Sequence, residues 1–261
     1  CIADQVGAEI LSLNDDVDEL IVIHRSRQSK LKYFVSKLET QYFILTNSFD
    51  LMIDLYGGKS SNNMMNLNFV YYKVGFVDGK PWSNRLSYKQ SNKFSNNTYH
   101  LTNHSFKIMN FFNVDNNNST IPTVKTRPYD DAKMLDYFSS FNNKSIFLIS
   151  LGSGGVEKIL DFEKQCYIAK YIYSKYKLVP AIVSNPGQEY LQNDFIDNYL
   201  TPSKIPHIKL KALTLSEISS MMLFAKFIIV PDTGLYHIAV ALGIPMLVFF
   251  TYTNPKLVLP E

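Results

Sequence analysis

Residues 214–255, TLSEISSMMLFAKFIIVPDTGLYHIAVALGIPMLVFFTYTNP, read as helix, strand, tight loop, helix, strand and loop. Thr214 and Glu217 fit a capping box at the start of the first helix. Ile218, Met221, Met222 and Ala225 then recur at helical spacing. Phe227 to Val230 is wholly apolar and predicts a strand buried on both faces, ended by Pro231. Asp232, Thr233 and Gly234 form the turn, with Asp232 placed to cap the next helix. Leu235 to Leu242 is that second helix, and Gly243 closes it. Met246 to Phe250 is the next buried strand. Strand and helix alternate, so the expected class is α/β with parallel sheets.

A loop at the carboxyl end of a parallel strand, feeding a helix, presents free backbone N–H groups and the positive end of a helix dipole. That is an anion site, and phosphate suits it. Thr233 adds a hydroxyl, and Gly234 lets a ligand approach the backbone. His237 lies one turn on from Thr233, on the same face. These residues fit equally an ordinary βα turn, with Asp232 a cap and His237 a packed surface histidine.

The spaced pattern D-T-G-x-x-H-x-A-x-A-x-x-x-P, followed by an apolar strand and T-x-P, resembles the donor-site signature of the ADP-heptose lipopolysaccharide heptosyltransferases, glycosyltransferase family 9. Asp232, Thr233, Gly234, His237, Ala239, Ala241, Pro245, Thr253 and Pro255 carry it. The family usually has Gly-Pro before the final threonine, where this chain has Thr251 and Tyr252.

The resemblance extends upstream. Ser145 to Leu151 reads as a buried strand, followed by a glycine-rich turn at Gly152, Gly154 and Gly155 and a helix over 162–176. Such a turn is a phosphate nest, although its spacing is not that of a dinucleotide fingerprint. Gly152, Ser153 and Lys158 align with a family segment whose leading His-Pro is replaced here by Ser150 and Leu151. The resemblance makes Lys158 the cation facing the donor diphosphate. It makes Glu189, after the turn at Pro186, the carboxylate that meets the ribose, and it puts Leu213 near the adenine. From the residues alone, Lys158 and Glu189 read equally as a solvated lysine and a helix-start acid.

The first half holds weaker matches. Cys1 to Ile10 suggests a helix end, a glycine stop and a strand start, and Glu19 to Ile23 a strand. Lys30 to Leu45 predicts a helix with a basic face, which reads as solvated. Phe49 to Tyr56 predicts a buried strand, leading to a polar loop over 59–63. Lys59 and Ser60 in that loop are acceptor-side candidates, at the strand end where open α/β sheets bind ligands. Val70 to Phe76 reads as a strand, 78–99 as a long loop and 100–112 as a helix. Residues 113–128 are the composition break and the linker candidate.

The resemblance therefore implies a GT-B fold, two Rossmann-like α/β/α domains facing across a cleft. Residues 1–128 would form the acceptor-side domain, incomplete at its start, and 129–261 the nucleotide-sugar domain. It implies inverting transfer of a heptose, or a related sugar, from an ADP-sugar to a lipid A/core oligosaccharide acceptor. Lys158 and Asp232 would contact the transition state and the sugar. The family's general base sits in a Gly-Asp turn with no counterpart here, and the chain is expected to lack residues before Cys1. No cofactor or metal is implied.

Composition bounds these readings. The 261 residues suffice for two α/β domains, and 46% hydrophobic with 19% charged describes a globular chain. A net charge of +3 alone predicts neither nucleic acid nor membrane binding. Two distant cysteines, Cys1 and Cys166, fit a reducing compartment. The expected place is the cytoplasm, with peripheral contact at the inner membrane face and no nucleic-acid partner. Two other classes fit the pattern: a non-catalytic two-domain sugar- or nucleotide-binding protein, and a GT-B nucleotide-sugar epimerase.

Overall fold

The structure is a computed structural model that describes residues 1–24, 29–55, 59–66, 70–77, 88–91, 112–113, 122–141, 144–152, 158–251 and 253–259. Every strand pairing among these residues is parallel, in three sheets.

The first half runs β1 (Ile2–Asp4), α1 (Gln5–Leu11), β2 (Ile21–Ile23), α2 (Lys30–Thr46), β3 (Leu51–Asp54), α3 (Lys59–Asn66), β4 (Tyr72–Val77) and β5 (Tyr88–Ser91). β1 pairs with β2, while β3, β4 and β5 form a second sheet in that order. The structure corrects several expectations here. Gly7 lies inside α1 and does not stop it, because Asp4 caps the helix by accepting from the Gly7 N–H at 2.8 Å. Ala8 to Ile10 are accordingly helical. β3 is short and largely exposed, burying only Asp54, because Leu51 and Ile53 point away from the neighbouring core. The polar run from Lys59 is not a loop but the helix α3, since Met64 and Met65 give it an inward face. Tyr88–Ser91, within the segment read as loop, adds a strand beside β4. The helix expected over 100–112 lies almost wholly outside the described residues.

The second half runs α4 (Pro128–Ser139), β6 (Ile146–Ser150), α5 (Phe162–Tyr176), β7 (Val179–Val183), α6 (Glu189–Phe195), β8 (Ile208–Lys209), α7 (Leu215–Met222), β9 (Ala225–Pro231), α8 (Gly234–Ala241) and β10 (Met246–Phe249). α6 continues into a π-helical turn at Ile196–Leu200. The five strands lie in the order β10-β9-β6-β7-β8. β6 and β7 are buried at every residue, as expected of largely apolar runs in a covered parallel sheet. Alternate residues feed two cores. Leu148 and Val230 pack with Met134, Met221 and Tyr236 on one face, and Phe147, Ile149 and Ile229 pack with Phe195 on the other. Each fully buried aliphatic side chain contributes about 1.5–3 kcal/mol. Two bounds shift: Ala225 begins β9 rather than extending the α7 face, and β10 is a half-buried edge strand.

Thr214 caps α7 through a complete capping box with Glu217. Burial alone would raise the Glu217 carboxyl, but hydrogen bonds from Lys133 and Thr214 hold it below the usual range. α1 also reaches this helix start, where Glu9 accepts from the Ser216 N–H at 3.3 Å. The segment entering α4 is tied back to α1, with Lys125 N–H donating to Leu13 O at 2.8 Å and Arg127 to Ser12 Oγ at 2.9 Å.

Candidate active site

β9, β6 and β7 are neighbours and parallel, so the loops at their carboxyl ends share one edge of the sheet. Two observations tie residues that flank these loops together. A Cβ on Gly152, after β6, would stand 2.6 Å from Asn185 N and 2.8 Å from Gln188 Oε1, in the loop after β7. Only glycine permits that approach. On the other side, Lys158 Nζ lies 3.2 Å from Asp232 Oδ2 and 3.3 Å from Asp232 O, in the loop after β9.

This ion pair corrects the expected role of Asp232. It does not cap α8, because Lys158 holds its carboxylate. The N-cap is Thr233, and its side chain makes no capping hydrogen bond. The first N–H groups of α8 are thus left without a side-chain cap, at the positive end of the helix dipole. Thr233 Oγ1 is shielded from solvent and has no partner. Nothing stands within 4 Å of where a Gly234 Cβ would be, so the backbone there is open. An uncapped helix start, an unused hydroxyl and a nearby ammonium are the features that anion sites are built from.

Ser150, which the sequence marks only as standing with Leu151 where the family has His-Pro, belongs to the same edge. It ends β6, is buried, and its Oγ has no partner. A lone hydroxyl closing an otherwise apolar strand is the signal that could have found it. Buried hydroxyls without partners are uncommon and costly, and here one ends β6 and the other opens the helix that follows the neighbouring strand β9.

Glu189 opens α6 and turns back onto its own loop, accepting from the Gly187 N–H at 3.1 Å. Backbone N–H groups of Glu189 and Gly187, helped by Lys209, hold its carboxyl below the usual range. His237 is exposed and stacks edge-on against Tyr236, with centroids 4.8 Å apart. Tyr236 itself points inward and donates to Val258 O at 2.8 Å. Burial, then the charge of Asp232, raises its hydroxyl above the usual range. Leu213, in the segment between β8 and α7, is buried in the core. Ser153 lies outside the described residues. Lys59 and Ser60 open α3 in the first half, on a different sheet from the donor-side residues, where Ser60 Oγ lies 3.0 Å from Tyr33 OH. Among the described residues, no group of three His, Cys, Asp or Glu side chains is placed to hold a metal ion.

The architecture is that of a class first. The α/β chain with parallel sheets has the GT-B type of fold, shared with solved structures at low sequence identity. The glycosyl transferase family 9 protein from Veillonella parvula has a TM-score of 0.85 at 14% identity, covering 98% of this chain and 72% of that one. The E. coli ADP-heptose lps heptosyltransferase II has a TM-score of 0.74 at 15% identity, covering 99% and 77%. The E. coli heptosyltransferase WaaC, solved with ADP, has a TM-score of 0.71 at 15% identity, covering 98% and 79%. In sequence, residues 207–260 match the model of glycosyltransferase family 9 (heptosyltransferase). That span contains the Asp232–Pro255 motif, so the resemblance is borne out where its signature lies. No curated protein is significantly similar in sequence.

Proposed function

We propose that the chain is a glycosyltransferase that moves a heptose, or a related sugar, from an ADP-sugar to a lipid A/core oligosaccharide acceptor at the cytoplasmic face of the inner membrane. The division at residue 128, with the acceptor held by the first part and the donor by the second, is part of the same reading. The observation that carries it is the meeting of the loops after β6, β7 and β9, with Lys158 and the uncapped start of α8 on the same edge. The family match over 207–260 supports sugar transfer, and a neighbour of the same fold was solved with ADP.

The chemistry rests on charge. Cleaving the donor's sugar–phosphate bond leaves growing negative charge on the diphosphate. The α8 N–H groups, the Thr233 hydroxyl and Lys158 would stabilise that charge where it develops. Lys158 is held by Asp232. An entering diphosphate would compete for the ammonium and release the Asp232 carboxylate to accept hydrogen bonds from sugar hydroxyls. Ser153, Gly234 and His237 complete the donor surface in this reading. Glu189 would meet the ribose, Leu213 would lie beneath the adenine, and Lys59 and Ser60 would meet the acceptor.

The test is to incubate the protein with ADP-heptose, with and without the lipid acceptor. ADP release that requires the acceptor supports transfer. Turnover without acceptor, or binding without turnover, contradicts it.

A further inference from the structure

The helix α2 faces the wrong way for water. Its inward side buries Ser36, Thr40 and Ile44, and Thr40 is fully buried. The inward hydroxyls are satisfied locally: Ser36 Oγ donates to Tyr33 O at 3.0 Å and accepts from His24 N–H at 3.3 Å, and Thr40 Oγ1 donates to Ser36 O at 2.7 Å. The opposite side carries Leu31, Phe34, Val35, Leu38, Tyr42 and Leu45, all exposed, with Leu31 at 73% and Tyr42 at 71%. Their spacing of three and four residues makes one continuous stripe along the helix. A helix on a soluble protein ordinarily shows the reverse pattern, and an exposed apolar stripe of this extent marks an interaction surface.

We infer that the outward face of α2 docks on an anionic lipid bilayer. The charge around the stripe selects that occupant. Lys30, Lys32 and Lys37 border it, and Glu39 is the one acidic residue of the helix. An apolar stripe flanked by lysines is what an interfacial helix needs: the apolar side chains enter the acyl boundary and the ammonium groups meet the headgroups. The helix has 17 residues. It would lie flat over about 25 Å of surface, and no helix among the described residues is long and apolar enough to cross a membrane. Tyr33, on its inner side, reaches Ser60 at the start of α3. On the proposed function, docking would therefore hold the acceptor-side residues close to the lipid that carries the acceptor.

The test is flotation of the full chain with vesicles of phosphatidylcholine alone and of phosphatidylcholine with one third phosphatidylglycerol. Binding to the anionic vesicles is expected, weakened by salt. Phe34→Glu with Leu38→Glu should weaken it about ten-fold or more, and Lys30→Glu with Lys32→Glu should remove the preference for phosphatidylglycerol. All four side chains are solvent-facing, so thermal unfolding should stay unchanged, and it is measured alongside. Wild-type protein that ignores both vesicles overturns the inference. So does a dimer, seen by sedimentation velocity, that Phe34→Glu with Leu38→Glu dissociates while vesicle binding is absent. ADP titration of the same variants keeps the two readings apart: it should be unaffected by the α2 substitutions, and its failure in wild type would count against the donor site alone.

Discussion

Lys158 and Asp232 are 74 residues apart in sequence, yet the ammonium is 3.2 Å from the carboxylate and 3.3 Å from the carbonyl oxygen of the same residue. One side chain thus joins the loop after β6 to the loop after β9. It also leaves the start of α8 without its expected cap. On the proposed function, a cation beside an uncapped helix start would meet a diphosphate, and its present partner is the group that ligand would displace.

Lys158→Met should therefore weaken both binding and stability. The lysine is partly exposed, but the Asp232 carboxylate it holds is largely buried, so its loss should cost the fold about 1–3 kcal/mol. ADP affinity should fall about 10- to 100-fold, roughly 1.4–2.7 kcal/mol. Calorimetric titration with ADP and a thermal melt check both.

Thr233→Val should move the two quantities in opposite directions. The Thr233 hydroxyl is shielded and without a partner, so replacing it with a methyl of similar shape removes an unmet polar group. Stability should hold or rise by about 0.5–1 kcal/mol, while ADP affinity falls about ten-fold. Ser150→Ala tests the second orphan hydroxyl in the same way, and a change in ADP affinity there would place Ser150 in the site.

Two glycines at this edge should respond differently to alanine. At Gly152 the new methyl would stand 2.6 Å from a backbone nitrogen, so the loops after β6 and β7 must part. A loss of about 1–3 kcal/mol is expected. At Gly234 there is open space, and alanine should be neutral or mildly favourable in the first turn of the helix. Any loss of ADP binding in Gly234→Ala then reports a ligand passing close to the backbone. Denaturant unfolding and ADP titration distinguish these outcomes.

Glu217 sets an acid limb. Its carboxyl is held below the ordinary glutamate range in the folded chain, by Lys133 and Thr214 acting against burial. The stability it supplies is complete above the ordinary value, about 4.3. It is lost as pH falls through the lower folded value, where the folded state must take up the proton. Glu217→Gln should flatten that limb and cost about 1–2 kcal/mol at neutral pH. Urea midpoints measured from pH 7 down to pH 3 would show it.

The second half was legible because its signals are local. The capping box at Thr214, the apolar run at Phe227–Val230 and the closing Gly243, with φ of 67°, each fix one element from nearby residues. The pairing of Lys158 with Asp232 was hidden, because it depends on β6 and β9 being neighbours in the sheet. Asp232 read as a cap for the same reason: spacing shows that a carboxylate precedes a helix, not that a distant lysine has claimed it. In the first half, Gly7 misled, since the Asp4 cap outweighs the roughly 1 kcal/mol helix cost of glycine. The lysines of α2 suggested a basic, solvated face, whereas the backbone around Ser36 and Thr40 turns the apolar stripe outward.

The most direct measurement is a crystal structure grown with ADP. The account predicts the diphosphate at the start of α8, with oxygens within hydrogen-bond reach of the Gly234 and Leu235 N–H groups, Thr233 Oγ1 and Lys158 Nζ, and with Lys158 drawn from Asp232. ADP bound elsewhere, or bound with Lys158 still on Asp232 and no phosphate near α8, would contradict it.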